Sequence, residues 1–150
     1  MFLMRRCDSP LDFDLELAKQ QSNENPVYYV QYAHARVCSL DEMAAKQGIA
    51  MTDPSGVDLN PLELPEELAL MKHLSLYPGL VEASARALEP HRLTFYLQEL
   101  AAGLHNYYYH HRILTDDLYR SRARLALMLG VRTVIANALK LLGVNAPKRM

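Results

Sequence analysis

An apolar stripe of helical period between residues 90 and 111 constrains the fold more than any other part of the sequence. Its members recur at alternating steps of three and four residues: Leu93, Leu97, Leu100, Leu104, Tyr107 and His111. This spacing places them on one face of an α-helix, where they form a sustained buried seam. Gly103 within the stripe costs about 1 kcal/mol relative to alanine. We therefore expect another helix to cross closely at that position and offset the cost.

The rest of the chain repeats the helical pattern and shows almost no strand pattern. Cap and turn residues divide it into predicted helices at about 14–22, 25–46, 61–76, 78–88, 90–111 and 116–142. We expect Tyr77-Pro78-Gly79 to separate the third helix from the fourth, Gly48 to end the second and Gly143 to end the last. The last helix has so wide an apolar face that it should lie at the centre. The sequence therefore predicts an all-α bundle of five or six helices in a chain of 150 residues.

Charge is distributed unevenly although the formal net charge is only −1. Residues 1–117 contain all 17 acidic side chains. Residues 118–150 contain only basic ones: Arg120, Arg122, Arg124, Arg132, Lys140, Lys148 and Arg149. A solvated helix face is the ordinary reason for a charge run. So many cations without a compensating carboxylate nevertheless favour an anionic partner that approaches this end of the chain.

The stretch NPVYYVQYAHARVCSL, residues 25–40, carries the most distinctive combination of side chains. It begins with an asparagine suited to the N-cap and a proline suited to the first helical position. Tyr28, Tyr32 and Arg36 then fall on one side of the helix, away from its apolar stripe. Rings and a guanidinium presented together can stack on bases and hold a phosphate or a base edge. The alternative is that the tyrosines are ordinary amphipathic core residues, which spacing alone slightly favours.

A second aromatic and cationic group lies at the end of the apolar seam. Tyr107 continues the seam, and successive helical residues turn by about 100°. At least one of Tyr108 and Tyr109 should therefore be exposed near Arg112. An exposed tyrosine next to an arginine is a base-stacking platform. A protein–protein hot spot uses the same residue types, and spacing alone does not separate these two functions.

Catalytic, metal-binding and membrane-spanning patterns are missing from the sequence. No glycine-rich phosphate loop occurs, and no serine sits in a nucleophile elbow. His105, His110 and His111 lie close together but have no carboxylate or cysteine at ligand spacing, so we expect no metal site. Cys7 and Cys38 are too few for a disulfide framework and fit a reducing, cytoplasmic setting. No window approaches the roughly 18 apolar residues of a membrane span, so we expect no membrane partner.

Three segments resemble the helical anticodon-binding domain of arginyl-tRNA synthetases, which are class I aminoacyl-tRNA synthetases. They are NPVYYVQYAHARVCSL with the preceding residues 12–17, LEPHRLTFYLQELAAGLHNYYYHHRIL, and RLALMLGVRTVIANALKLLGVNAPKRM. The resemblance covers nearly the whole chain, and its motifs are highly specific in this order and spacing. It implies that residues 14–150 form the anticodon-binding domain and that residues 1–13 are the tail end of the catalytic domain.

The H-I-G-H-type and K-M-S-K-type nucleotide-binding signatures of that family are absent, and 150 residues are too few for its catalytic fold. The resemblance therefore implies a C-terminal fragment that does not activate arginine alone and binds no cofactor itself. Full-length members of the family join arginine to its tRNA with ATP and magnesium. The implied partners are the anticodon stem-loop of arginine tRNA and the catalytic domain of the same enzyme.

The resemblance also assigns roles to particular residues. In the family, aromatic and arginine residues of the first helix, a tyrosine of a Phe-Tyr-Asn-like segment and the C-terminal methionine lie at the anticodon loop. The matching positions, with the neighbouring arginine, are Tyr32, Arg36, Tyr108, Arg112 and Met150. The basic C-terminal helix and tail would follow the RNA backbone through Arg120, Arg122, Arg124, Arg132, Lys148 and Arg149. This chain has three tyrosines where the family usually has Phe-Tyr-Asn, which alters the hydrogen-bonding groups available there.

Two functions remain open. The first, which the resemblance implies, is an anticodon-binding module that reads the central cytosine shared by arginine anticodons. Its isolated domain would bind weakly if other parts of the enzyme supply most of the tRNA contacts. The alternative is a helical protein-interaction module without RNA binding, in which the tyrosines and arginines form a hot spot.

Overall fold

Five α-helices make up the regular structure of the computed structural model, which describes residues 14–49, 51 and 53–150. They are α1 (Leu15–Lys19), α2 (Pro26–Lys46), α3 (Pro65–Ala87), α4 (His91–His110) and α5 (Leu118–Leu141). These described residues include no strand, and the predicted all-α bundle of five or six helices is confirmed. The predicted catalytic-domain tail at residues 1–13 lies outside the described residues, as does Cys7. None of the described helices is long and apolar enough to cross a membrane.

Asn25 joins α1 to the start of α2. Its side-chain oxygen accepts hydrogen bonds from the backbone N–H groups of Val27 at 3.0 Å and Tyr28 at 3.4 Å. Its amide nitrogen donates to the carbonyl oxygens of Ala18 and Gln20. The predicted N-cap is therefore confirmed, because the asparagine satisfies N–H groups that the first helical turn leaves without partners. The same side chain holds the end of α1 against the start of α2. Helix α1 is only 5 residues long and shorter than predicted.

The third helix, α3, is continuous where the sequence predicted two helices, so the predicted separation at Tyr77-Pro78-Gly79 is wrong. A proline within a helix removes one backbone hydrogen bond. Side chains on both sides of it nevertheless pack on the core: Met71, Leu74, Tyr77 and Leu80. Tertiary packing therefore carries the helix through the proline. The helix also begins later than the predicted residue 61, because Pro65 takes its first position.

Helices α4 and α5 form the centre of the bundle. The predicted seam of α4 is buried at Leu93, Leu97, Leu100, Leu104 and Tyr107, while His111 is half-buried. A Cβ atom added to Gly103 would lie 3.2 Å from Cδ2 of Leu70. Helix α3 therefore crosses α4 closely at this glycine, as predicted. Helix α5 packs against α2, α3 and α4, which confirms its predicted central position.

Glycines end α2 and α5 at the predicted positions. Gly48 has a φ of 76° and Gly143 a φ of 70°, a left-handed conformation that side chains with a Cβ atom rarely adopt. The N–H of Val144 then donates to the carbonyl oxygen of Leu139 at 2.9 Å. This bond closes the end of α5 and turns the C-terminal tail back towards α2.

Candidate nucleic-acid interface

Arg36 of α2 lies between two tyrosine rings that come from different helices. Its guanidinium carbon is 5.1 Å from the ring centroid of Tyr32, one turn earlier on α2. The same atom is 4.7 Å from the ring centroid of Tyr108 on α4. Both distances are within the range of cation–π attraction. The structure thus brings together three residues that the family resemblance assigns to the anticodon loop, and all three are half-buried.

His105 of α4 completes this arrangement, and from the sequence this residue is considered only as a metal ligand. Its ring centroid is 5.6 Å from that of Tyr32, with an interplanar angle of 24°. Its Nδ1 is 3.1 Å from Nη1 of Arg36, and its Nε2 is 3.4 Å from the carbonyl oxygen of Tyr29. We call Tyr32, Arg36, His105 and Tyr108 the α2–α4 cluster. The signal that could have found His105 is its place three residues before Tyr108, on the same helix face.

The hydrogen bonds determine which nitrogen of His105 carries the proton. Arginine has donors and no acceptor, so Nδ1 of His105 must accept from Arg36, and Nε2 must donate to the carbonyl of Tyr29. Burial lowers the pKa of His105 below its ordinary value, and the positive charge of Arg36 lowers it further, while the bond to Tyr29 opposes them. The ring is therefore neutral at pH 7. The remaining N–H groups of Arg36 form no hydrogen bond with a residue that the structure describes.

Tyr28 extends the aromatic surface along α2, and Tyr108 is the tyrosine of α4 that takes part in it. The ring centroids of Tyr28 and Tyr32 are 6.4 Å apart and their planes differ by 8°, so Tyr28 lies on the same side as the cluster. On α4, Tyr107 is 0% exposed and Tyr109 is 82% exposed. This confirms the prediction that Tyr107 continues the seam and that a following tyrosine faces solvent. Because Tyr108 comes directly after the buried residue, its ring leaves the core at the edge facing α2.

Arg124 lies inside the bundle, so its predicted phosphate contact is wrong. Its Nε donates to Oε1 of Glu67 at 2.8 Å, and its Nη1 donates to the carbonyl oxygen of Arg112 at 2.8 Å. The side chain of Arg124 is 8% exposed and that of Glu67 is 0% exposed. The charge of this arginine is therefore neutralised in the core and does not reach a phosphate at the surface.

Glu67 is the acceptor on which three helices converge. Besides Arg124 of α5, it accepts from the hydroxyl of Tyr107 of α4 at 2.6 Å and from the N–H of Leu64 at 3.0 Å. Burial alone would raise the pKa of Glu67, but these hydrogen bonds and the charge of Arg124 hold it below its ordinary value. Burial and the bond to the carboxylate raise the pKa of Tyr107. The ionised Glu67 thus holds the end of α4, directly before Tyr108, against α3 and α5.

The other predicted phosphate contacts divide into cations with and without acidic partners. Three have partners: Arg132 with Asp41 at 2.6 Å, Arg149 with Glu42 at 3.2 Å, and Arg120 with Asp117 at 3.9 Å. Arg112, Arg122 and Lys148 are exposed and form no ion pair with any residue that the structure describes. This second group carries uncompensated positive charge, which is what a phosphate backbone attracts.

The C-terminal tail is anchored along another face of α2. Nε2 of Gln31 donates to the carbonyl oxygen of Asn145 at 2.8 Å, and Nδ1 of His34 lies 2.8 Å from the carbonyl oxygen of Pro147. Helical geometry places both side chains on a different face of α2 from the cluster. Met150, which is 49% exposed, ends this tail.

The surface offers a ligand stacking faces, N–H donors and positive charge. Over residues 14–49, 51 and 53–150, no group of three or more His, Cys, Asp or Glu side chains is placed to hold a metal ion. Groups that stack and donate hydrogen bonds bind and orient a partner. The chemistry available at this surface is therefore that of recognition.

The chain matches one protein family and is similar to part of several longer proteins. A family model described as the DALR anticodon binding domain matches residues 30–150. The chain is 62% identical over 149 residues to the arginine–tRNA ligase of Syntrophotalea carbinolica, and 55% identical over 152 residues to that of Desulfosudis oleivorans. These alignments cover 99% and 100% of this chain but 27% of each relative. The chain thus spans about a quarter of the length of the curated relatives it matches.

Solved structures give the same class of fold. A Campylobacter jejuni protein named as an arginyl-tRNA synthetase matches with a TM-score of 0.87 and 28% identity, over 99% of this chain and 32% of that one. The Thermus thermophilus arginyl-tRNA synthetase matches with a TM-score of 0.72 and 32% identity, over 93% of this chain and 24% of that one. The bundle is thus of the class of helical domains found within arginyl-tRNA synthetases.

The chain belongs to the DALR anticodon-binding domain family. This membership confirms the resemblance to the anticodon-binding domain of arginyl-tRNA synthetases that the sequence motifs indicated.

Proposed function

We propose that this chain is the part of an arginine–tRNA ligase that binds the anticodon stem-loop of arginine tRNA. The observation that carries the proposal is the position of Arg36 between the rings of Tyr32 and Tyr108. These rings come from two helices and, with Tyr28, form an aromatic surface around one cation. An aromatic and cationic surface of this kind suits unstacked bases of an RNA loop.

Binding would use stacking, hydrogen bonds and charge. Bases splayed from the loop stack on the tyrosine faces, and each stack contributes about 1–3 kcal/mol. Arg36 donates through the N–H groups that His105 leaves free, to a base edge or a phosphate. The exposed cations without acidic partners neutralise phosphates along the backbone. The domain therefore positions the tRNA, and the chemical step takes place elsewhere in the enzyme.

The base that the cluster reads would be the central base of the anticodon. All arginine codons have guanine in the middle, so their anticodons share a central cytosine. Cytosine presents a carbonyl oxygen and a ring nitrogen as acceptors, and these match the donors of the Arg36 guanidinium. On the same Watson–Crick edge, guanine and uracil carry a ring N–H donor in place of that acceptor nitrogen, and adenine has no carbonyl oxygen, so a cluster that reads this edge would favour a central cytosine.

Attachment of arginine would require the full-length ligase, with ATP and magnesium bound by its catalytic domain. The chain matches about 27% of the length of its curated relatives, and the nucleotide-binding signatures of the family are absent from it. We therefore propose the catalytic domain of the same enzyme as the second partner. We also propose the cytoplasm as the site of this activity, where reducing conditions keep the buried, free Cys38 as a thiol.

A binding assay with arginine tRNA at several salt concentrations tests the proposal. We expect Tyr108→Ala to weaken binding about 5- to 150-fold, the loss of one base stack. Tyr109→Ala is the matched control, because it removes the same side chain from the same helix at a position that is 82% exposed and outside the cluster. It should bind as the wild type does.

Competition experiments decide whether the binding depends on the base. An arginine tRNA with its central anticodon cytosine replaced should compete poorly for the wild-type chain. Equal competition would contradict the proposed reading of that base. Wild-type binding that responds neither to salt nor to Tyr108→Ala would contradict the RNA-binding function and favour a protein-interaction module. Absent binding would mean that other parts of the enzyme supply most of the tRNA contacts.

A further inference from the structure

Among the residues that the structure describes, His105 is the imidazole in contact with Arg36, and three contacts hold its ring. Its ring stacks on Tyr32, its Nε2 donates to the carbonyl oxygen of Tyr29, and its Nδ1 accepts from Nη1 of Arg36 at 3.1 Å. Only the third contact requires the neutral ring, because an imidazolium is a donor at both nitrogens. The orientation of Arg36 is thus linked to the protonation state of a neighbouring side chain.

We propose that His105 is a positioning residue for Arg36, and that its neutral imidazole holds the guanidinium between the two tyrosine rings in the geometry that binds RNA. A flexible arginine side chain loses rotamer freedom when a ligand fixes it. The bond to His105, added to the contacts with Tyr32 and Tyr108, fixes the guanidinium before RNA arrives. Less conformational entropy is then lost on binding. This inference deepens the proposed function and rests on it, because the first of its two tests measures RNA binding.

Protonation of His105 would remove the acceptor and place a second positive charge beside Arg36. The groups that face the imidazole from α2 are Tyr29, Tyr32 and Arg36. On α4 itself, Tyr108 lies one turn further on and contacts the same guanidinium. Within the described part of the chain, none of the contacts of His105 is with a carboxylate that would compensate an imidazolium. The repulsion therefore acts on Arg36 and releases it from the rings.

The direction of the pH effect follows from the surroundings of the ring. Burial and the charge of Arg36 lower the pKa of His105 below its ordinary value. The imidazole is therefore neutral at and above pH 7, and Arg36 is held there. Affinity for RNA decreases only when the pH falls below the ordinary titration range of histidine.

Two substitutions separate the two hydrogen bonds of His105. An asparagine carries its amide near the place of Nδ1, so His105→Asn can still accept from Arg36. A glutamine reaches the place of Nε2, so His105→Gln can still donate to the carbonyl of Tyr29 but no longer supports Arg36. Neither side chain is protonated, and both lose the ring that stacks on Tyr32. The comparison between them therefore isolates the bond to the guanidinium.

Binding of arginine tRNA by the 150-residue chain supplies the first measurement. At neutral pH we expect His105→Asn to bind within about 3-fold of the wild type, and His105→Gln to bind about tenfold more weakly than His105→Asn. As the pH is lowered from about 7.5 to below about 5.5, the wild-type affinity should fall relative to that of His105→Asn. Other histidines and the RNA titrate alike in both chains, so the ratio reports on His105. Equal affinities of the two variants, together with a constant ratio, would overturn the proposal.

NMR of the guanidinium group of Arg36 in the free chain supplies the second measurement, with Arg36→Lys to assign the signal. We expect slow rotation of the guanidinium in the wild type and in His105→Asn, and fast rotation in His105→Gln and in the wild type at low pH. If the wild type shows this pattern but does not bind arginine tRNA, the positioning role stands and the proposed function fails. If tRNA binds but the guanidinium rotates equally fast in both variants, the proposed function stands and the positioning role fails.

Discussion

Arg124 donates a 2.8 Å hydrogen bond from Nε to Oε1 of Glu67 in the interior of the bundle, where the two side chains are 8% and 0% exposed. The hydroxyl of Tyr107 donates to the same oxygen at 2.6 Å. Helices α3, α4 and α5 therefore meet at one carboxylate. Two charges are costly to remove from water, and once they are buried each depends on its partner.

We expect Arg124→Ala to lower the free energy of unfolding by about 3–5 kcal/mol, because it leaves the carboxylate of Glu67 buried without its cation. Arg122→Ala removes the same side chain two residues earlier on α5, where it is exposed. That control should change the free energy of unfolding by less than about 0.5 kcal/mol. Urea unfolding of both variants at neutral pH measures the difference. Similar small costs for the two variants would contradict the structural role of the buried pair.

The stability of the fold should be sensitive to acid at Glu67. Burial alone would raise the pKa of this carboxyl, but hydrogen bonds from Tyr107, the backbone of Leu64 and Arg124 hold it below its ordinary value. In acid the unfolded chain therefore binds more protons than the folded chain. The stabilisation is complete above the unfolded pKa of about 4.3 and is lost as the pH falls through the lower folded pKa.

Glu67→Gln removes this titration. The variant should therefore lose stability less steeply than the wild type as the pH falls below the pKa that Glu67 has in the unfolded chain. Urea unfolding at a series of acidic pH values measures the two slopes. Parallel slopes would show that Glu67 has the same pKa in the folded and unfolded chains, which the geometry of the carboxylate contradicts.

Local rules account for the helices that the sequence predicted correctly. The cap at Asn25, the terminal glycines and the α4 seam each depend on residues within one or two turns, so they are readable from the chain. The break expected at Pro78 is different, because the local cost of a proline competes with packing against segments far away in sequence. Leu74 and Tyr77 on one side and Leu80 on the other contact the core, and these contacts decide the outcome.

The residues of the candidate site also divide into those that local sequence predicts and those that depend on how the helices pack. Tyr32 and Arg36 are neighbours on one helix, so their common face was predictable, whereas their meeting with Tyr108 depended on the family resemblance. His105 was missed because its role arises only when α4 packs against α2. A count of charges treats every arginine as solvated, and it therefore predicts Arg124 at the surface. Its neighbours Ala123 and Leu125 are both buried, and that local pattern was the available sign of its burial.

Gly103 and Gly130 form a natural pair for testing how closely helices approach. A Cβ atom would lie 3.2 Å from Cδ2 of Leu70 at Gly103 and 3.4 Å from Cδ1 of Leu74 at Gly130. Alanine in a helix interior is about 1 kcal/mol more favourable than glycine. We expect Gly130→Ala to raise the free energy of unfolding by about 0.5–1 kcal/mol, and the tighter contact at Gly103 to cancel most of this gain. Thermal and urea unfolding of the two variants measure the change in the free energy of unfolding. An equal gain at both positions would contradict the close crossing at Gly103.

Cations without acidic partners should dominate the salt dependence of RNA binding. Arg122 is exposed and has no ion pair with a described residue, whereas Arg132 donates to Asp41 at 2.6 Å. We expect Arg122→Gln to make the slope of log K against log salt less negative by up to about 0.9. Arg132→Gln should change the slope less, because Asp41 already neutralises that arginine. Binding isotherms with arginine tRNA over a range of salt concentrations measure both slopes. A larger change for Arg132→Gln would mean that RNA displaces Asp41, and the paired arginine would then be the phosphate contact.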